Sequence, residues 1–257
     1  MTQEHEFLAP SLLCNCSQLI VQAARRIGGD HPTSVAVKRV FYWVRDNIQY
    51  TVGLDKLSAE GTLLKGSGSC TNKANLLVAL LRCLNVPAGF RVMEVAGQAY
   101  FGPLCTDTFR QFVSQRSLHV YATAFLNGRW VKLDCSDDIQ LCSATRHLCK
   151  QTTPAEFDGT HDAVLHLDPE HVISDSIGPL PSVDHILEKQ LRVSRVAVEV
   201  GNMWVAYVRR FGIRFTSILE AERQFFAQLE QCDPNKYRML ISLLGARNEA
   251  MTAAQAA

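Results

Sequence analysis

The sequence predicts an α+β fold: a central buried helix against antiparallel strands, followed by a helical subdomain. Three stretches carry this prediction. Residues 74–84 are apolar on almost every side, with only Asn75 and Arg82 interrupting, and a helix apolar all round is a buried one. The runs 119–126 and 129–134 are β-prone and flank Asn127-Gly128. Asn-Gly between two such runs is the strongest short hairpin signal, because a type I′ turn needs positive φ at both central residues. Beyond residue 181 the pattern is helical throughout. The expected division is therefore an α+β domain over 1–180 and a helical subdomain over 181–257.

The elements follow in order. Apolar residues from Phe7 to Ile27 recur at mixed helical spacing, and Gly28-Gly29-Asp30-His31-Pro32 breaks the chain. Thr33 or Ser34 can cap a second helix, whose stripe is Val37, Val40, Phe41, Val44 and Ile48 and whose end falls near Tyr50. A loop with a short helix at 59–64 leads through Gly66-Ser67-Gly68-Ser69 into Cys70 and the buried helix, which Asn85-Val86-Pro87 stops. Residues 89–95 read as a strand, 97–116 as a long loop, and the stretch from Asp134 to Pro181 as irregular. A long helix is expected from Ser182 or Asp184 through Ile186, Leu191, Val196, Val200 and Trp204 to Phe211. Ser217 and Glu220 have capping-box spacing. Asp233-Pro234 opens a last helix that Gly245 is expected to end, with a frayed Ala-rich tail after Arg247.

Composition excludes several classes. Of 257 residues, 47% are hydrophobic and 20% charged, which excludes a disordered or fibrous chain. A net charge of +1 gives no field for a polyanion, so no nucleic-acid partner is expected. No apolar run reaches about 18 residues, so no membrane span is expected. The opening MTQEHEFLAPSLLCNC lacks the basic-then-apolar form of a signal peptide, so a cytoplasmic protein with its nine cysteines reduced is expected. Cys135, Cys142, His147 and Cys149 have no usual zinc spacing, and Cys14-Asn15-Cys16 is CxC, not CxxC; no metal and no other cofactor is expected. His161, His166 and His171 read as solvated histidines, Arg209-Arg210 as a solvated helix face, and Trp204, Tyr207 and Phe211 as core.

Cys70 stands apart from the other cysteines by position. It follows a Gly/Ser loop and opens a buried helix, where unpaired N–H groups and the macrodipole present roughly half a positive charge. That favours the thiolate, the nucleophilic form. Gly66 and Gly68 would let a substrate backbone approach. The local context alone leaves a reactive thiol and an inert buried one as equal alternatives.

The hairpin supplies a base. With Asn127 and Gly128 in the turn, Leu126 pairs with Arg129 and Tyr121 with Asp134. His119 and Tyr121 share a face by alternation, which puts Asp134 one diagonal step from His119. The opposite face, with Val120, Ala122, Ala124, Leu126, Val131 and Leu133, is uniformly apolar. Both faces are expected to be covered, one by the central helix and the other by further structure such as the C-terminal helices. A nucleophile at a helix N-terminus, a base on a strand and an acid on the next strand follow triad logic on a thiol.

Four blocks in this order resemble the transglutaminase-like superfamily of papain-like cysteine enzymes: FYWVRDNIQY at 41–50; SAEGTL at 58–63; GSCTNKANLLVALLR at 68–82 with Asn85-Val86-Pro87; and HVY at 119–121 through GRWVKLD at 128–134. The likeness covers residues 41–138, with weaker echoes to 162. It implies a papain/transglutaminase-like core with the cysteine helix packed on an antiparallel sheet, and a triad of Cys70, His119 and Asp134. It also implies an aromatic residue near the oxyanion site, for which Tyr50 and Trp43 are the candidates; Gly68 and Thr71 complete the candidate substrate contacts. The chain departs from the pattern where Thr71 replaces the Trp of animal transglutaminases, and where Cys135 and Thr123 replace the Pro and Glu common in small bacterial relatives.

The resemblance implies acyl transfer: attack of Cys70 on an amide or thioester, followed by resolution with an amine or water. The expected partners are an acyl donor, which includes a thioester on a carrier protein, and an amine acceptor. A cysteine peptidase or amidase is the alternative, and a non-catalytic interaction module the third reading. The C-terminal helices carry no readable motif. Shaping the acyl pocket, docking a carrier and forming a dimer all stay open for them, as does the oligomeric state.

Overall fold

Helix α4 (Cys70–Cys83) forms where the apolar run predicts it, and every residue from Thr71 to Arg82 on it is buried. The computed structural model describes residues 3–53, 56–100, 104–149, 153–165, 167–188 and 195–255. Around α4 lie α1 (Gln18–Gly28), α2 (Thr33–Asn47) and α3 (Ala59–Lys65). Leu76, Leu77, Leu80 and Leu81 join Val37, Val40, Phe41 and Val44 of α2 in one fully buried cluster. Helix α2 starts at Thr33, with Pro32 rather than a hydroxyl in the cap position. Ser58 caps α3 by accepting the Gly61 N–H at 3.1 Å.

The sheet packs on α4 through β3 (Ala88–Ala96) and β4 (Arg116–Leu126), extended by β5 (Arg129–Leu133) and β6 (Val172–Leu180) in the order β5-β4-β3-β6. All neighbours are antiparallel. The hairpin register runs from Leu126↔Arg129 to Ala122↔Leu133 without a bulge, as counted from the turn. Asn127 (φ 51°) and Gly128 (φ 80°) supply the two positive φ values that the turn demands. Val120, Ala122, Ala124, Leu126, Val131 and Leu133 lie in the α4 cluster. The opposite face is covered differently from the expectation. Phe7 packs edge-on against Trp130 at 4.6 Å, Trp130 packs on Phe125, and Tyr100 lies over His119. Of the C-terminal helices, the one over residues 195–211 packs on α7 (Ile139–Thr145) instead, and those after it pack on that helix and on each other.

Strand β6 and helix α7 occupy the stretch read as irregular. Neither has a clean period: β6 is an edge strand with register shifts against β3, and α7 is only two turns long. The loop expected at 97–116 contains α5 (Gly97–Tyr100) and α6 (Asp107–Arg110). At the C-terminus come α8 (Asp184–Glu188), α9 (Arg195–Phe211), α10 (Ile218–Cys232) and α11 (Pro234–Gln255). Leu191 of the expected long helix lies outside the described residues. Gly245 does not end α11, which runs on to Gln255. A second apolar cluster joins Val200, Trp204, Val205 and Val208 of α9 to Phe225 and Leu229 of α10, and draws in Phe109 and Leu141 from before residue 180. Among the described residues no helix is long and apolar enough to cross a membrane.

A two-residue parallel pair, β1 (Gln49–Tyr50) with β2 (Ser67–Gly68), sets Tyr50 beside the start of α4. Thr51 N–H bonds to the Gly68 carbonyl at 3.1 Å. Gly68 has a packing reason of its own: a Cβ there would meet Asn72 Cβ at 2.6 Å. Asn72 in turn caps α4, accepting the Ser69 N–H at 3.1 Å. Gly68→Ala is therefore expected to cost about 1–3 kcal/mol by overpacking this cap. A chemical denaturation curve unchanged in midpoint would refute that account.

Candidate active site

Cys70 occupies the first position of α4, half-buried, with Ser69 as N-cap. First-turn N–H groups of a helix have no intrahelical partner and carry partial positive charge. His119 comes from β4, and both it and Asp134 are 1% exposed, so neither charge is screened by water. His119 Nε2 meets Asp134 Oδ2 at 2.6 Å. Asp134 lies one residue past β5, its backbone N–H held by the Ala163 carbonyl at 2.7 Å. Its other oxygen accepts from Ser136 Oγ at 2.5 Å and from the Ser136 N–H at 3.1 Å. The His119 imidazole and the Val120 N–H both stand where they favour the Cys70 thiolate. The Tyr100 hydroxyl lies 3.1 Å from His119 Nδ1.

The electrostatics follow from these contacts. Burial works to raise the Cys70 thiol, but the hydrogen bond and charge of His119 outweigh it and hold the thiol below its ordinary value. Burial likewise disfavours the imidazolium, yet Asp134 beside it pushes His119 up to about 10. Asp134 is held down against its own burial by His119 and Ser136. All three directions favour a thiolate–imidazolium pair next to an ionised carboxylate. The other buried thiols are the reverse case. Burial pushes Cys14, Cys135 and Cys142 up to about 12 and Cys149 to about 11. Cys16 is an exception that local sequence does not single out: the hydrogen bond from Cys83 holds it below the ordinary value.

A cavity of about 710 Å³ opens at Cys70. Tyr50 and Thr71 line it, and the Thr71 hydroxyl is 3.9 Å from the Cys70 sulfur. Burial, then the charge of Cys70, raises the Tyr50 phenol well above its usual value, so it is a neutral O–H donor. Trp43 does not join them. It packs on the main core and is not among the cavity-lining residues. Trp204, expected as core, is both core and cavity wall; His171, expected in solvent, also lines the cavity. His161 is exposed and pairs with Asp158 at 2.6 Å, while His166 lies outside the described residues.

Several residues at the site carry no sequence signal of their own. Asp137 lines the cavity, its carboxyl pushed up to about 7 by burial and by the neighbouring Asp134 charge. Lys73 is fully buried under the site, its ammonium donating to the carbonyls of Ile48 (2.7 Å), Asp137 (2.6 Å) and Arg45 (3.2 Å). It thereby ties the end of α2 to the segment after Asp134. Arg209 is not solvated as expected. It pairs with buried Asp138 at 2.8 Å and donates to the Tyr50 carbonyl at 2.6 Å. Ser136 alone had a local cue, a hydroxyl two residues after an aspartate, as in Asx-type turns. The Cys135, Cys142, His147 and Cys149 set forms no ligand group: His147 Nε2 lies 2.9 Å from the Phe215 carbonyl. Among the described residues no three His, Cys, Asp or Glu side chains converge as metal ligands.

Comparison with known proteins adds the family. No curated protein matches the chain. Among solved structures, the chain is similar to a candidate cysteine protease from Cytophaga hutchinsonii (23% identity, TM-score 0.42, covering 53% of this chain and 43% of that one). It is also similar to a candidate protease from Parabacteroides distasonis (13% identity, TM-score 0.36, covering 52% and 26%). The chain thus spans less than half the length of either. Residues 21–135 match the model of the transglutaminase-like superfamily. That segment contains α4, the hairpin and all three of Cys70, His119 and Asp134, and over it the chain is similar to a transglutaminase-like core.

Proposed function

We propose that the protein is a cysteine-dependent acyl-transfer enzyme that forms an amide from an acyl donor and an amine. The observation that carries this reading is the chain of contacts Cys70–His119–Asp134 at the N-terminus of α4. The Cys70 thiolate attacks the donor carbonyl. The α4 N-terminus and the Tyr50 phenol face the oxyanion that develops, where fixed donors act most strongly. His119 gives its Nδ1 proton to the leaving group, and a thioester remains on Cys70. An amine then attacks, His119 takes its proton, the C–S bond breaks and the thiolate returns. Asp134 on Nε2 holds the imidazole orientation throughout. The apolar side of the cavity walled by α9 supports an amine over water as acceptor, because an acyl group seated there displaces water from the thioester.

Intact-protein mass spectrometry tests the reading. Wild type and Cys70→Ala are offered acyl thioesters and glutamine peptides, then an amine. An adduct on wild type only, discharged by amine faster than by water, is the expected result. Discharge at the same rate with and without amine would make the enzyme a hydrolase, and no adduct from any donor would remove the nucleophile assignment. Peptide mapping is needed because Cys16 and exposed Cys232 are also open to reagents.

A further inference from the structure

We propose that the arm of the cavity walled by α9 binds the acyl chain of the donor, and that the donor is a thioester of an apolar, medium-length or longer acyl group. This rests on the reading of Cys70 as the acyl-accepting nucleophile. The cavity, about 710 Å³, is of the size that encloses a small-molecule ligand. Its two ends differ in chemistry. Around Cys70 stand hydroxyls and a carboxyl: Tyr50, Thr71, Tyr100, Ser136 and Asp137. On the side of α9 the wall is Leu104, Phe109, Val198, Trp204 and Val205, all but Val198 belonging to or packing on the second apolar cluster, while Arg116, Asp168, His171 and His185 line the cavity from other segments.

That wall offers nothing to a polar chain. The Trp204 indole N–H is already bonded to the Leu104 carbonyl at 2.8 Å, and its ring stacks on Phe109 with centroids 5.1 Å apart. Burial pushes the Cys105 thiol up to about 12, so it stays uncharged. An amide-rich side chain or peptide placed against these residues would lose its hydrogen bonds to water without replacement. Ala197, Gly201, Trp204 and Val205 fall on one helical face toward the cavity, where Gly201 lets Val52 pack close: its Cγ2 would meet a Cβ there at 3.0 Å. An alkyl chain extending from a carbonyl at Cys70 meets apolar surface continuously.

In acylation the new bond is Cys70 Sγ–C(=O), the donor C–S bond breaks, and the leaving thiolate takes the His119 proton. The test measures this step alone, without amine, using acetyl, butyryl, octanoyl and dodecanoyl thioesters of N-acetylcysteamine. The rate of adduct formation at Cys70, mapped by mass spectrometry, is expected to rise roughly fourfold per methylene until the arm is filled, as for buried apolar surface. That makes octanoyl about 250-fold faster than butyryl if the arm takes the whole chain. Val198→Trp fills the arm and is expected to lower the octanoyl-to-acetyl ratio by about 10-fold or more, and Val198→Leu by less. The ratio is internal to each preparation, so partial misfolding does not imitate the result. A rate independent of chain length, or a ratio unmoved in both variants, overturns the acyl-chain site while leaving acyl transfer intact. No adduct from any thioester in wild type overturns acyl transfer itself and this site with it.

Discussion

Removing the imidazole is expected to do the most damage to Cys70. In His119→Ala the thiol keeps its burial, which raises its pKa, and loses the hydrogen bond and charge that oppose it. The thiolate population at neutral pH then collapses, and turnover is expected to fall by about 100- to 10,000-fold, the range for loss of a positioned base. The pH profile carries the sign. In wild type, alkylation of Cys70 by iodoacetamide persists as pH falls below the ordinary thiol range, because His119, pushed up to about 10, stays protonated and holds the thiolate. In His119→Ala the same profile moves to the alkaline side of that range. Asp134→Asn gives an intermediate profile: His119 loses the partner that raises it, so burial draws the imidazole toward its neutral form. Superimposable alkylation profiles for wild type and His119→Ala, read at the Cys70 peptide, would sink the ion-pair account.

The parts of this site that sequence exposes are those governed by local rules. The Asn127-Gly128 turn sets the register of the hairpin by itself, and that register carries His119 to Asp134 without any tertiary information. The run after Cys70 is apolar all round, so its burial and its N-terminal placement are legible too. What escapes is built across long separations. Tyr100 sits in a stretch without period, yet its hydroxyl reaches His119. Lys73 looks like a surface lysine just ahead of an apolar run, and only the folded chain brings three carbonyls to its ammonium. Edge strand β6 has no alternation to read because its pairing with β3 shifts register three times. Arg209 belongs to a charged pair on an amphipathic helix, a pattern that normally marks solvent; its partner lies 71 residues away. Trp43 and Tyr50 come from the same motif block, and the β1–β2 pair rather than composition selects Tyr50 for the cavity.

Arg209 and Asp138 are expected to hold the second-largest effect, because they join α9 to the site through a buried ion pair with side chains 8% and 3% exposed. Asp138 accepts from Arg209, from the Tyr50 N–H at 2.8 Å and from the Leu141 N–H at 2.5 Å, where it also caps α7. Breaking a buried pair by removing one partner costs about 3–5 kcal/mol, because the survivor stays desolvated and unpaired. Arg209→Met is expected at the low end of that range, since Asp138 keeps two N–H donors. Asp138→Ala is expected at the high end, since it strands the guanidinium and two backbone N–H groups together. Combining Arg209→Met with Asp138→Asn removes both charges and retains the cap, so the double variant should lose less than the sum of its singles. Urea denaturation measures the three. The chemistry should register the same change: with Arg209 gone, both Tyr50 and the α9 wall lose a tether, so octanoyl transfer falls further than acetyl transfer. An Arg209→Met protein within about 0.5 kcal/mol of wild type, as at an ordinary surface position, and with an unchanged chain-length ratio would show that α9 stands on its apolar contacts alone.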